Sequence, residues 1–219
     1  MVFNRAMGFN VNFPLITSRL LRSSQAPLCM LRASAFDPSI IRAISLDITG
    51  TILVHRYPIM QTYADAAVWA RLPNPPSAEE LKPAFKQAYF KHLTESPCFG
   101  FQEELSGREW WMRTVRSSLE LCGRQYNEDD FQRYFRRVYQ HYGSAEGYET
   151  LADAAAFLDW ASERYVLGVT TNAPARTVET VLPLLGLHER LRWFVCCRDV
   201  GVEKPGRAIF DAAVRQAGF

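Results

Sequence analysis

Apolar and polar positions change period several times along the chain. Ala43-Ile44-Ser45-Leu46-Asp47-Ile48 is a short apolar run that ends in a turn, Thr49-Gly50-Thr51, and predicts a buried strand. Residues 58–150 then carry helical spacing almost throughout. Tyr63, Ala66, Ala67 and Ala70 mark one face before the breaker Pro73-Asn74-Pro75-Pro76. Ala78–Thr94 follows with Leu81, Phe85, Ala88 and Tyr89. A loop over Ser96–Gly107 leads to Trp110, Met112, Val115 and Leu119, and Asn127–Tyr142 closes the set with Phe131, Phe135 and Val138. After Gly147 strands and helices alternate. Thr150–Arg164 reads as a helix, Tyr165–Thr170 as a buried strand ending at Thr171-Asn172, and Ala173–Leu185 as a helix whose last turn Pro183 should disturb. Trp193–Cys197 reads as a third strand and Pro205–Ala217 as a final helix with Ile209, Phe210, Ala213 and Val214 on one side.

Strands alternating with helices imply an α/β fold with a doubly wound parallel, Rossmann-like sheet. The expected organisation is a core over 41–57 and 148–219, interrupted after its first strand by a helical cap over 58–147. Most of the aromatic residues fall in that insertion at helical spacing, which points to packing rather than base stacking. Composition leaves this picture intact. The chain has 219 residues, 48% hydrophobic and 22% charged, enough to bury roughly 70% of its unfolded surface without a disulfide or metal staple. No run approaches the roughly 18 apolar residues of a membrane span, so no membrane partner is expected.

Charge adds one feature. Residues 1–36 hold Arg5, Arg19, Arg22 and Arg32 and no acid, so this segment is +4 and the remainder −2 against a net of +2. A near-neutral body gives no reason to expect a nucleic-acid partner. The acid-free, Arg- and Ser-bearing start has the composition of an organellar transit peptide. Residues 1–40 are therefore expected to be a targeting leader or a disordered tail. Mitochondrial import leads, with plastid or cytoplasm as alternatives. Cys29, Cys98, Cys122, Cys196 and Cys197 are odd in number and lack CxxC spacing, and are read as reduced thiols.

In a doubly wound sheet the carboxyl ends of the strands form the ligand crevice. Asp47 ends the first strand, Thr171-Asn172 ends the second at a helix start, and Lys204 follows the third just before Pro205. A carboxylate, a hydroxyl and an ammonium converging there suit phosphoryl transfer: the carboxylate attacks phosphorus while the others neutralise equatorial oxygens. Taken singly, Asp47 could cap a turn, Thr171 a helix, and Lys204 could be a surface lysine. Their recurrence at successive strand ends favours the phosphate reading.

With these stretches the chain resembles the haloacid dehalogenase-like hydrolase superfamily, and within it the domain-containing group with a four-helix cap. The likeness rests on Leu46–Ile52, Phe85-Lys86-Gln87-Ala88-Tyr89, Glu109-Trp110-Trp111, Val169–Asn172 and Glu203-Lys204-Pro205 with Ile209-Phe210. The resemblance implies that Asp47 is a nucleophile forming an aspartyl-phosphate and also a Mg²⁺ ligand, together with the Thr49 carbonyl. Thr171 would hold the phosphoryl group, and Lys204 would offset its charge and that of Asp47. Thr49, Gly50, Thr51 and Asn172 would contact a small phosphorylated substrate, which the cap would select.

Three features depart from the family pattern. The second Asp of the first motif is Thr49, whose hydroxyl is a poor general acid near pH 7, a loss of about 10²–10⁴ in rate. The resembled group also tends to lack that Asp. The acidic fourth motif does not occur before Phe219, which leads to the expectation of a truncated product with an incomplete sheet and metal site. Gly206 stands where relatives commonly place an acid. Two functions follow: a Mg²⁺-dependent phosphatase, or a catalytically degenerate protein of the same fold acting as a binding scaffold. Substrate and oligomeric state have no signature.

Overall fold

In the computed structural model, residues 40–218 are described. The proposed leader lies outside them except for Ile40. Three strands, β1 (Ala43–Leu46), β4 (Val166–Thr171) and β5 (Trp193–Cys196), form a parallel sheet in the order β1-β4-β5. The register pairs Leu46 with Val169 and Thr171 with Cys196, so the carboxyl ends of all three strands meet at one edge.

Alternation along the strands decides what covers each face. Leu167, Val169 and Cys196 point into one cluster, against Leu158 and Ala161 of α6 (Ala154–Ser162), Val178 and Val181 of a π-helical turn (Thr177–Val181), and Leu182 of α7 (Leu182–Leu184). Trp193 and Val195 point the other way, against Ile209, Ala212 and Ala213 of α9 (Arg207–Ala217). Helices on both faces make the sheet doubly wound, as its sequence pattern predicts. β1 lies at the edge of this sheet with Ser45 exposed, and the Ser45 hydroxyl bonds that of Thr170 at 2.6 Å.

The insertion packs around a core of its own. α1 (Ile59–Trp69), α2 (Ala78–Glu95), α4 (Gly107–Leu121) and α5 (Glu128–His141) bury Tyr63, Leu81, Phe85, Leu119, Phe131, Tyr134 and Phe135. Each large side chain so buried contributes about 1.5–3 kcal/mol of transfer free energy. Local sequence sets the starts: Ser77 and Ser106 each close a capping box with a Glu three residues on, and Asn127 caps α5.

Several expectations need correcting. The helix expected over Thr150–Arg164 starts only at Ala154, because Tyr148–Thr150 is a strand, β3, paired antiparallel with β2 (Leu53–His55). This pair joins the core to the insertion. Within Ala173–Leu185, Pro183 disturbs more than the last turn: the five residues Thr177–Val181 widen into π geometry before α7. A proline ring crowds the carbonyl four residues back, here Glu179, inside that widened stretch. The third strand stops at Cys196, and Cys197 opens α8 (Cys197–Val200). The last helix begins at Arg207, beyond the cis Lys204–Pro205 peptide, rather than at Pro205. Finally, the segment read as a loop over Ser96–Gly107 contains a tight turn, α3 (Pro97–Gly100), whose Cys98 and Phe99 are buried against Trp193 and Val195. Among the described residues, no helix is long and apolar enough to cross a membrane.

Candidate active site at the strand ends

Asp47, Thr171 and Lys204 come together at the carboxyl edge of the sheet. Thr171 Oγ1 donates to Asp47 Oδ1 at 2.7 Å, and the Ile48 amide donates to the same oxygen at 2.8 Å. Lys204 Nζ lies 3.1 Å from Oδ1 and donates to the Thr170 carbonyl at 2.9 Å. Among the described residues these contacts all fall on Oδ1, and Oδ2 takes no part in them. The Asp47 side chain stays 41% exposed while Lys204 is 15% exposed. The carboxylate thus faces open space from above a largely covered cation.

Local sequence explains the arrangement. β4 is buried along nearly its whole length, so the Thr171 hydroxyl must find partners. It takes two, donating to Asp47 and accepting from the Ala173 amide at 3.0 Å. After Asp47 the chain reverses through Gly50, at φ 82°, with the Gly50 amide bonded to the Leu53 carbonyl and the Leu53 amide to that of Ile48. Only glycine holds that backbone angle without strain. These bonds use the Ile48 and Leu53 carbonyls rather than that of Thr49.

Asp47, Thr49, Gly50, Thr51, Thr171, Asn172 and Lys204 all line one cavity of about 1400 Å³ between core and insertion. Asn172, expected to contact substrate, spends its amide elsewhere. Its Nδ2 donates to the Lys204 carbonyl at 3.2 Å and its Oδ1 accepts from the Lys204 amide at 2.8 Å. This reciprocal pair fixes the backbone that carries the lysine.

The insertion supplies the far wall through Tyr89, Trp111 and Tyr139. Further polar residues enter the cavity that sequence reasoning missed, among them Arg176, Arg198 and His55. Arg176 donates to the Tyr139 carbonyl at 2.5 Å and lies over its ring at 4.0 Å. Arg198 donates to the Phe99 carbonyl at 2.7 Å. His55 packs against Tyr142 and Tyr148 at 5.6 and 5.2 Å between ring centroids. Burial, aided by the neighbouring His141, lowers its pKa to about 4. Only their place in a loop or strand next to a motif could have signalled these residues.

Known proteins share this arrangement of elements. The family model of the haloacid dehalogenase-like hydrolases matches residues 41–219. Haloacid dehalogenase-like hydrolase domain-containing protein 3 of Homo sapiens is 29% identical over 81% of the chain and 69% of its own length. Among solved structures, 2-haloacid dehalogenase from Pseudomonas syringae superposes with a TM-score of 0.54 at 21% identity, covering 81% of this chain and 73% of that one. The HAD-hydrolase YfnB from Bacillus subtilis, bound to magnesium, gives 0.55 at 19%, covering 80% and 73%. The two structures share the fold alone, whereas the family model spans both the sheet and its insertion. With Asp47, Thr171 and Lys204 gathered at the strand ends inside that span, the chain belongs to the haloacid dehalogenase-like hydrolases.

Proposed function

We propose that the protein hydrolyses a small phosphate monoester through an aspartyl-phosphate on Asp47. The observation that carries this reading is the convergence of the Thr171 hydroxyl and the Lys204 ammonium on Asp47 Oδ1, at the floor of a cavity. Held through Oδ1, the carboxylate presents Oδ2 as the attacking oxygen. Thr171 and Lys204 are placed to neutralise charge as the phosphoryl group transfers, and the Ile48 amide holds the carboxylate plane. The Asn172 pair fixes the backbone from which the lysine reaches the site.

The donor set suits Mg²⁺, a hard cation that takes oxygen ligands. Asp47 and the Thr49 carbonyl would hold it, with the remaining positions left to water and phosphate. When bound, it would supply positive charge at the transferring group. Water must also be activated to release the phosphoryl group from Asp47, and Thr49 does this poorly.

Turnover of p-nitrophenyl phosphate and of a panel of metabolite phosphates, with and without Mg²⁺, tests the reading. Mg²⁺-dependent hydrolysis that Asp47→Asn abolishes is the expected result. Equal turnover by the variant, or none across the panel, removes the proposal. Thr49, in place of an acid, favours the second reading, a binding protein that retains the fold. That reading predicts phosphate-ester binding without turnover.

A further inference from the structure

Away from Asp47, a second group of ligating side chains joins the insertion to the core. Cys98 lies in α3, between two helices of the insertion, Cys197 opens α8 directly after β5, and Glu203 sits in the loop before Lys204. Their sulfur and carboxylate atoms all lie within 4.8 Å of one another. We propose that Cys98, Cys197 and Glu203 form a zinc-type cation site that clamps the insertion to the sheet.

Geometry and donor chemistry support this assignment. In a tetrahedral site with zinc–sulfur bonds of about 2.3 Å and zinc–oxygen bonds of about 2.0–2.2 Å, ligand atoms stand roughly 3.5–3.8 Å apart. The cluster needs to contract by up to about 1.3 Å to reach that spacing. Two thiolates and a carboxylate select a soft or borderline cation and discriminate against Mg²⁺, so the site is chemically distinct from the oxygen donors at Asp47. Three protein ligands leave a fourth position for water.

The backbone is arranged to bring the sulfurs together. Cys98 and Phe99 adopt φ of 52° and 57°, left-handed values that non-glycine residues reach only at a cost. The turn they make buries the Cys98 side chain against the core. Its ends are tied there: the Cys98 amide donates to Glu203 Oε1 at 3.3 Å, and Arg198 donates to the Phe99 carbonyl.

The cluster borders the large cavity through Glu203. Cys98 is 2% and Cys197 0% exposed, but Glu203 is partly exposed and lines the large cavity. Without a cation, burial raises both thiols, and the Glu203 charge raises them further. Binding a divalent ion would expel two thiol protons, which leaves two thiolates, one carboxylate and two positive charges, for a site of net charge −1.

The experiment uses the full chain, purified under reducing conditions and loaded with zinc or cobalt. One zinc per chain is expected, with a thiolate-to-cobalt charge-transfer band in the cobalt form. Cys98→Ser should cut the intensity of that band by about half or more and weaken binding, and Glu203→Gln should weaken binding by about tenfold or more. Cys122→Ser and Asp47→Asn should leave zinc binding unchanged. Cys98→Ser and Glu203→Gln report on the site without altering the fully buried Cys197, and circular dichroism confirms that each is folded. Failure to retain zinc, or unchanged affinity in folded Cys98→Ser, overturns the proposal. So does a Cys98–Cys197 disulfide found by mass spectrometry, if the reduced protein then takes up no zinc.

Discussion

Acidification is a direct probe of the junction between core and insertion, because His55 sits there. It belongs to β2, pairs with Tyr148 of β3 and packs its ring against Tyr142 and Tyr148. Its pKa is lowered from 6.5 to about 4, first by burial and then by His141. In the unfolded chain the ring has the ordinary value, so between these limits the unfolded state binds more protons than the native state. Stability is therefore complete above about pH 6.5, falls as pH drops through the window, and loses no more below about pH 4. Lowering pH from 7.5 to 5.0 spans 1.5 of the 2.5 units, which corresponds to a loss of about 2 kcal/mol. Urea unfolding at both pH values measures it, and His55→Phe separates this effect from the carboxylates. The wild-type protein should lose about 2 kcal/mol more than the variant over this interval. An equal loss in both would refute the assignment of His55 as a partly buried neutral ring.

Three further predictions concern packing, the site and a helix start. A Cβ on Gly168 would stand 2.0 Å from the Trp193 ring, so Gly168→Ala should destabilise by about 1–3 kcal/mol. Adding Trp193→Phe should recover part of that loss in a double-mutant cycle, read by denaturant midpoint. Thr171→Val removes a donor to Asp47 and the acceptor of the Ala173 amide. It should cost about 1–2 kcal/mol of stability, and any phosphate-ester turnover should fall about 10²-fold. Ser77→Ala opens the capping box of α2 and should lower thermal stability by about 1 kcal/mol, with the site unaffected.

The parts of the fold legible in the sequence are those with enough residues to show a period. The four long helices of the insertion and the strands around Asp47 and Thr171 each carry a run long enough for apolar spacing to be read. β2 and β3 do not. Each has three residues, and their partners lie far apart in sequence with no turn between them. The buried turn at Cys98 and Phe99 was hidden for a related reason. Its φ values are ones that Gly or Asn would advertise, and neither residue is there. At the candidate site, the strand-end pattern pointed to Asp47, Thr171 and Lys204, and these three side chains do come together. Asn172 looked equally available, but its side chain answers to a backbone 32 residues away, a match invisible to local spacing.

The antiparallel pairing of β2 with β3 also bears on how such a protein can be assembled. Leu53 stands opposite Thr150 and His55 opposite Tyr148, so the chain leaves the sheet and returns to it through neighbouring points. The insertion is therefore a closed excursion, and its length barely enters the entropy of closing it, which grows only logarithmically. Material can be added to or removed from 58–147 without altering the register of β1, β4 and β5. Contacts across the junction resist that freedom, Arg176 with Tyr139 among them. Cys98, Phe99 and Leu105 share a cluster with Trp193, Val195 and Ile209, and an exchanged insertion would have to cover that face again. The core is open to new lids at the β2–β3 pair and selective about them at the Cys98 turn.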